Sequence, residues 1–215
     1  MATIKTLSPD EESRLLSYLR TARYGSHLPI TLRRNHLIAL LMLDAGLRNR
    51  EAASLPLQTL ETCINSTQSI TISSFASKNG EPRTIPTSLR LLGAIDNYLE
   101  HRINNDPTKH NIYAFPGRHN RGYLGCKQIY RIISHAGQAT LNQSIHPHML
   151  RHTFATRLMR TAPIRVVQEL LGHRKLSSTQ VYTHPDTQDL RRAIESLGAG
   201  ETQNTRHDEN PPIQP

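Results

Sequence analysis

The chain has no tryptophan, three phenylalanines and 5% aromatic residues in all. Proteins that grip single-stranded nucleic acid stack its bases on aromatic faces, and this composition argues against such a platform. Cysteine is scarce as well: Cys63 and Cys126 are the only two in 215 residues. Two cysteines cannot build a disulfide framework or, by themselves, a zinc site. Long apolar runs are missing. The longest unbroken one, residues 37–43, has seven residues, whereas a helix needs about 20 to cross a bilayer. The first residues, 1–8, hold no apolar stretch, so no secretory signal is expected. Together these shortages fit a cytoplasmic protein better than a secreted or membrane one.

Acidic residues are the remaining shortage. Asp and Glu number 17 against 26 Lys and Arg, a formal net charge of +9 at pH 7 with twelve histidines neutral. Outside residues 201–215 the balance is 25 basic to 14 acidic, or +11. A chain this basic commonly meets a polyanion. With so few aromatics, the backbone of a DNA duplex is a better match than unpaired bases. The plainer reading is a merely basic soluble protein. The length and the 36% hydrophobic content suit one domain with a real core and are marginal for two.

The pattern along the chain is mostly helical. Ser8, Pro9 and Glu11 form a helix start with a capping box, followed by the stripe Leu15, Leu16, Leu19. Residues 32–45 predict a helix that is apolar all round from Leu37 and therefore buried, ended by Gly46. A short helix is expected at 49–54, stopped by Pro56. Over 68–86 the period changes to two. Ile70 and Ile72 alternate with polar residues, Asn79-Gly80 signals a tight turn, and Arg83 to Ile85 supply the return strand. Pro86-Thr87 then open a helix with Leu89, Leu92, Ile95 and Leu99 on one face. Further helices are expected around Ile129–Ala136, from His148 to about Arg160, from Pro163 to Gly172, a short one carrying Tyr182, and over 187–197. The fold class is thus α+β, mainly helical with a small antiparallel sheet or hairpin. Beyond Gly198 the composition is that of a disordered tail.

Several residues can carry chemistry. His148, Arg151 and His152 lie three and four apart on one helix. His148 and His152 have zinc-binding spacing, but no Glu follows His148. Their plain alternative is a set of helix-face residues. Leu171-Gly172-His173 places a histidine just past a helix stop, and Tyr182 follows nine residues on. Upstream, Arg48 sits at a helix boundary with Glu51 three residues later.

In this combination the chain resembles the catalytic domain of the tyrosine recombinases, the phage-integrase family. The matching blocks are Gly46-Leu47-Arg48 with Glu51 and Leu55, and Lys78-Asn79-Gly80 with Arg83 and Pro86. Next come residues 147–156, Pro-His-Met-Leu-Arg-His-Thr-Phe-Ala-Thr, then Leu171-Gly172-His173, then the Ser/Thr-rich turn and Tyr-Thr-His of 177–184. The likeness extends over residues 8–198.

The resemblance implies a reaction and a role for each group. Tyr182 would be the nucleophile on a DNA phosphorus, giving a 3′-phosphotyrosyl link that conserves bond energy without ATP. Arg48 and Arg151 would clamp the non-bridging oxygens. Lys78 would protonate the leaving 5′-oxygen, a task a guanidinium performs poorly. His148 would take the tyrosine proton, His173 would hydrogen-bond the phosphate, and Glu51 would orient the cations. Arg50 is the alternative to Arg48, and Lys78 has the alternative of an exposed hairpin charge. Tyr113, Tyr123 and Tyr130 match no block and are taken as structural. No metal or other cofactor is implied.

The expected organisation is a catalytic domain over 1–198 and a tail over 199–215, without the separate helical DNA-clamping domain usual in the family. In this the chain resembles the short bacterial invertases that switch fimbrial promoters. The expected partners are double-stranded DNA, other copies of the chain as a tetramer on two sites, and an accessory DNA-bending or directionality protein, in a bacterial, nucleoid-associated setting. Leu190, Ile194 and Leu197 are expected to anchor residues 187–198 on a neighbouring copy. The competing readings are a catalytically idle DNA-binding regulator of the same fold, a nicking–closing topoisomerase, and a metal hydrolase using His148 and His152.

Overall fold

Ser8 and Glu11 hold each other's backbone at the first helix. The Ser8 N–H donates to Glu11 Oε2 at 2.8 Å and the Glu11 N–H to Ser8 Oγ at 3.3 Å, closing the capping box ahead of α1 (Pro9–Thr21). The computed structural model describes residues 5–21, 29–73, 82–105, 110–120, 122–172 and 187–199. Lys78, His173, Tyr182 with its short helix, and residues 200–215 lie outside the described residues.

The central element is α2 (Pro29–Leu43), which starts three residues before the expected boundary. Residues 37–43 are each no more than 1% exposed, because α1, α5 and α7 pack round that half of the helix. α3 (Asn49–Ala53) follows as expected. Residues 57–67 form α4 (Leu57–Thr62) and a wider π-type turn (Cys63–Thr67), which no sequence pattern announced. That turn ends at Gln68 in the left-handed region, φ 46°.

The sheet has two antiparallel strands, β1 (Ser69–Ile72) and β2 (Arg83–Pro86). The register pairs Ser69 with Pro86, Ile70 with Ile85, Thr71 with Thr84 and Ile72 with Arg83. Alternation puts Ile70, Ile72, Ile85 and Arg83 on the buried face. Thr71 and Thr84 hydroxyls meet at 3.2 Å on the exposed one.

α5 (Leu89–Asn105) corrects the expectation that Pro86-Thr87 open a helix. Pro86 still belongs to β2, and the Thr87 N–H donates to the Gln68 carbonyl at 3.0 Å. Ser88 caps the helix instead, its Oγ accepting from the Leu91 N–H. Ile95 and Leu99 of the expected stripe are buried and Leu92 packs against the core. Leu89 is 88% exposed, and Leu91, Ile95, Tyr98 and Leu99 are buried with Arg102.

The last third holds α6 (Cys126–Leu141), α7 (Pro147–Thr161), α8 (Ile164–Leu171) and α9 (Thr187–Ala199). α6 buries Ile129, Ile133 and Ala136 as expected. α9 lies on α7, α8 and β2 of its own chain. Ile194 is 1% exposed there and Leu190 is partly buried. An amphipathic helix needs any apolar partner, and the α7–α8 surface supplies one within the chain. Among the described residues no helix is long and apolar enough to cross a membrane.

Candidate active site

Gly46 ends the α2 segment with φ 60°, the left-handed region that glycine enters without a Cβ penalty. The chain then turns so that Arg48, in extended backbone, caps α3. Glu51, at the third helical position, reaches back and accepts the Arg48 N–H on Oε2 at 2.7 Å. Its Oε1 accepts from Arg48 Nη1 at 2.8 Å. The Arg-x-x-Glu spacing is thus a helix cap and an ion pair at once.

Arg83 brings the sheet into the same cluster. Its Nη1 donates to Glu51 Oε1 at 3.0 Å, its Nη2 to Oε2 at 2.7 Å, and its Nε to the Leu170 carbonyl at 3.0 Å. Arg151, from the first turns of α7, donates through Nη1 to the Gly46 carbonyl and through Nη2 to the Leu171 carbonyl at 2.8 Å. Its Nη1 lies 4.0 Å from Glu51 Oε2. Arg48 Nη2 is 3.5 Å from the Gly172 carbonyl. The structure therefore gathers Arg48, Glu51 and Arg151 at the C-terminal end of α8, one residue ahead of His173.

Access is graded. The Glu51 and Arg83 side chains are 0% and 2% exposed, Arg151 is 9% exposed and Arg48 is 33% exposed. Arg48 is the member that opens most to a ligand. His148 is exposed one turn before Arg151. Its ring centroid stands 6.5 Å from that of His152 and 6.4 Å from that of His146. Arg50 is exposed, and it is Arg48 that bonds to Glu51 and reaches the Gly172 carbonyl. Tyr113 and Tyr123 pack edge-on at 5.1 Å, and Tyr130 is exposed on α6.

Three guanidiniums surround one carboxylate. Burial alone would raise Glu51, but the hydrogen bonds and charge of Arg83, followed by those of Arg48, hold it at about 2 against an ordinary 4.5. Arg151 is pushed down to about 9, first by burial and then by Arg48 and Arg83, with Glu51 opposing. His152 is lowered by burial and by the charges of His148, Arg151 and His146. The cluster carries more positive charge than it neutralises, an arrangement that favours an anion.

Arg83 is the functional residue that sequence reasoning passed over, naming it only as part of a motif. The signal was present: it shares the strand's inward face with Ile85, and a charge at a core-facing position needs a buried partner. Asn49 Nδ2 donates to the Cys126 carbonyl at 3.2 Å, tying the residue after Arg48 to the start of α6.

Comparison with known proteins agrees with this geometry. The description of the phage integrase family matches residues 5–189. Tyrosine recombinase XerA of Pyrococcus horikoshii is 34% identical over 199 residues, covering 92% of this chain and 63% of the relative. Tyrosine recombinase XerC of Listeria monocytogenes is 39% identical over 177 residues, covering 78% and 55%. The crystal structure of XerA recombinase superposes with a TM-score of 0.64 at 27% identity, over 87% of this chain and 63% of that one. The chain spans less than two thirds of the length of these curated relatives. It belongs to the phage integrase family, the tyrosine recombinases.

Proposed function

We propose that this chain is the catalytic unit of a site-specific DNA recombinase that cuts and rejoins strands by transesterification through Tyr182. The observation that carries this reading is the meeting of Arg48 and Arg151, 103 residues apart in sequence, around the single ionised carboxylate of Glu51. Two guanidiniums can bind the non-bridging oxygens of a phosphate and neutralise the charge that grows on them in the transition state. Tyr182 Oη attacks the phosphorus and the bond from phosphorus to the 5′-oxygen breaks. His148 takes the tyrosine proton, Lys78 gives one to the leaving 5′-oxygen, and His173 hydrogen-bonds the phosphate. Rejoining runs the same steps backward, with a 5′-hydroxyl as nucleophile.

The DNA partner follows from charge. α6 contains no Asp or Glu in its 16 residues and exposes Lys127, Gln128, Arg131, His135 and Gln138. Its first residue is tied to Asn49, next to Arg48, so duplex DNA along α6 reaches the arginine cluster. Replacing both Lys127 and Arg131 by Ala is expected to weaken retention of any duplex and to reduce the steepness of its salt dependence by up to about two ion equivalents. Filter binding across a salt series checks this. Four copies on two sites, as the family resemblance implies, would complete an exchange. Inversion, excision and integration share this chemistry and differ in site arrangement.

The test is a covalent adduct. Native protein is incubated, without added metal, with supercoiled plasmid carrying the DNA that flanks its gene, and then denatured in detergent. Mass spectrometry should find a nucleotide joined through a 3′-phosphate to the peptide that contains Tyr182. Retention of DNA with no adduct would favour the idle regulator instead.

A further inference from the structure

Glu51 is saturated. Four N–H groups converge on its two oxygens: the Arg48 backbone, Arg48 Nη1, and both terminal nitrogens of Arg83. A carboxylate has about four acceptor positions, so nothing remains for Arg151. That residue stays 4.0 Å away and turns its guanidinium to the Gly46 and Leu171 carbonyls. Resting on the recombinase reading above, we propose that Arg83 is a positioning residue for strand cleavage. By filling both oxygens of Glu51 it keeps that carboxylate from drawing Arg151 off the phosphate.

Three features support this role over simple core packing. Arg83 grips both oxygens, which a planar fork does and a lysine cannot. Its Nε anchors the pair to the Leu170 carbonyl, on the same helix end whose next carbonyl holds Arg151. It also opens β2, five residues after Lys78 in the sequence. One guanidinium thus joins the sheet, the carboxylate and the end of α8.

Without Arg83, two acceptor positions on Glu51 fall open. Arg151 is near enough to occupy one, and its guanidinium would then turn to Glu51 rather than toward a bound phosphate. Glu51 would also lose its strongest cationic neighbour, so its protonation would move upward into an accessible pH range.

The experiment compares native protein with Arg83→Lys, Arg83→Gln, Glu51→Gln and the Arg83→Gln/Glu51→Gln double variant, each checked for folding by circular dichroism. Two quantities are read: the carboxyl ¹³C signal of Glu51 between pH 3 and 8, and the rate of adduct formation on the same plasmid across pH. Arg83→Gln should make Glu51 titrate within that range and slow adduct formation by about a hundredfold, as misplaced catalytic groups do. Relative to native, its rate should recover toward acid, where the protonated Glu51 no longer draws Arg151. Arg83→Lys should recover all but about tenfold of the loss. The double variant, with no carboxylate to misdirect Arg151, should show no such recovery toward acid and be no slower than Glu51→Gln.

A folded Arg83→Gln protein with a native adduct rate would overturn the proposal. So would a loss equal at every pH and additive with Glu51→Gln, since that describes packing alone. Absence of adduct from native protein removes the recombinase reading and this role with it. A Glu51 signal that still moved on Arg83 substitution would then show that the ion pair exists without that function.

Discussion

Glu51→Gln is expected to lower the stability of the fold by about 3 kcal/mol. The substitution keeps the shape of the side chain and removes its charge. Arg83, 2% exposed, is then a buried cation without a counter-ion, and one member of a buried pair left alone is costly. Linkage gives the same size: a shift from 4.5 to about 2 corresponds to roughly 3 kcal/mol. The folded value lies below the unfolded one, so the ionised carboxylate stabilises the fold above about pH 4.5. That contribution drains away as pH falls through about 2. Native and variant should therefore differ fully at pH 7 and by half or less at pH 3. For a chain of 215 residues the neutral-pH difference amounts to a drop in Tm of roughly 6–12 °C. Urea titrations at the two pH values decide the matter, and a gap that stays constant would show that charge is not its source.

Gly46→Ala should be comparably severe for a different reason. Gly46 has φ 60°, where an added Cβ costs about 1–2 kcal/mol. That Cβ would also stand 2.5 Å from Phe154 Cδ1, inside a fully buried ring, and overpacking adds about 1–3 kcal/mol. The carbonyl of Gly46 is an acceptor for Arg151, so any shift of this turn also displaces that guanidinium. Thermal melts should show a loss of about 2–5 kcal/mol. Adding Phe154→Leu should return the part due to overlap and leave the part due to φ. A double variant no more stable than Gly46→Ala would mean that the backbone angle carries the whole effect.

The candidate site was legible in the chain because its residues sit in short ordered blocks. Arg48 with Glu51 is a helix start with its own cap, and His148 with Arg151 is one helical turn, so local geometry alone places each pair. Residues 37–43 announced their burial by having no polar face. The start of α5 was misread by two to three residues, and of its expected stripe only Leu89 faces outward. A proline that can open a helix can also close a strand, and only the pairing of Pro86 with Ser69 distinguishes the two. The 57–67 segment carries no strong period, and its π-type turn is held by packing that no local pattern encodes.

What the chain determines by itself is therefore local and chemical: helix starts and stops, the paired strands, the buried run of α2, the excess of positive charge and the spacing of the candidate groups. Each depends on neighbours within a few residues. The tertiary structure alone decided that Arg83 is a third guanidinium on Glu51 and that Arg151 donates to the Gly46 and Leu171 carbonyls. It alone decided that α9 covers its own α7 and α8. These are contacts across 20 to 105 residues. Their energies depend on burial and on which charges are left unpaired, and neither exists until the chain has closed on itself.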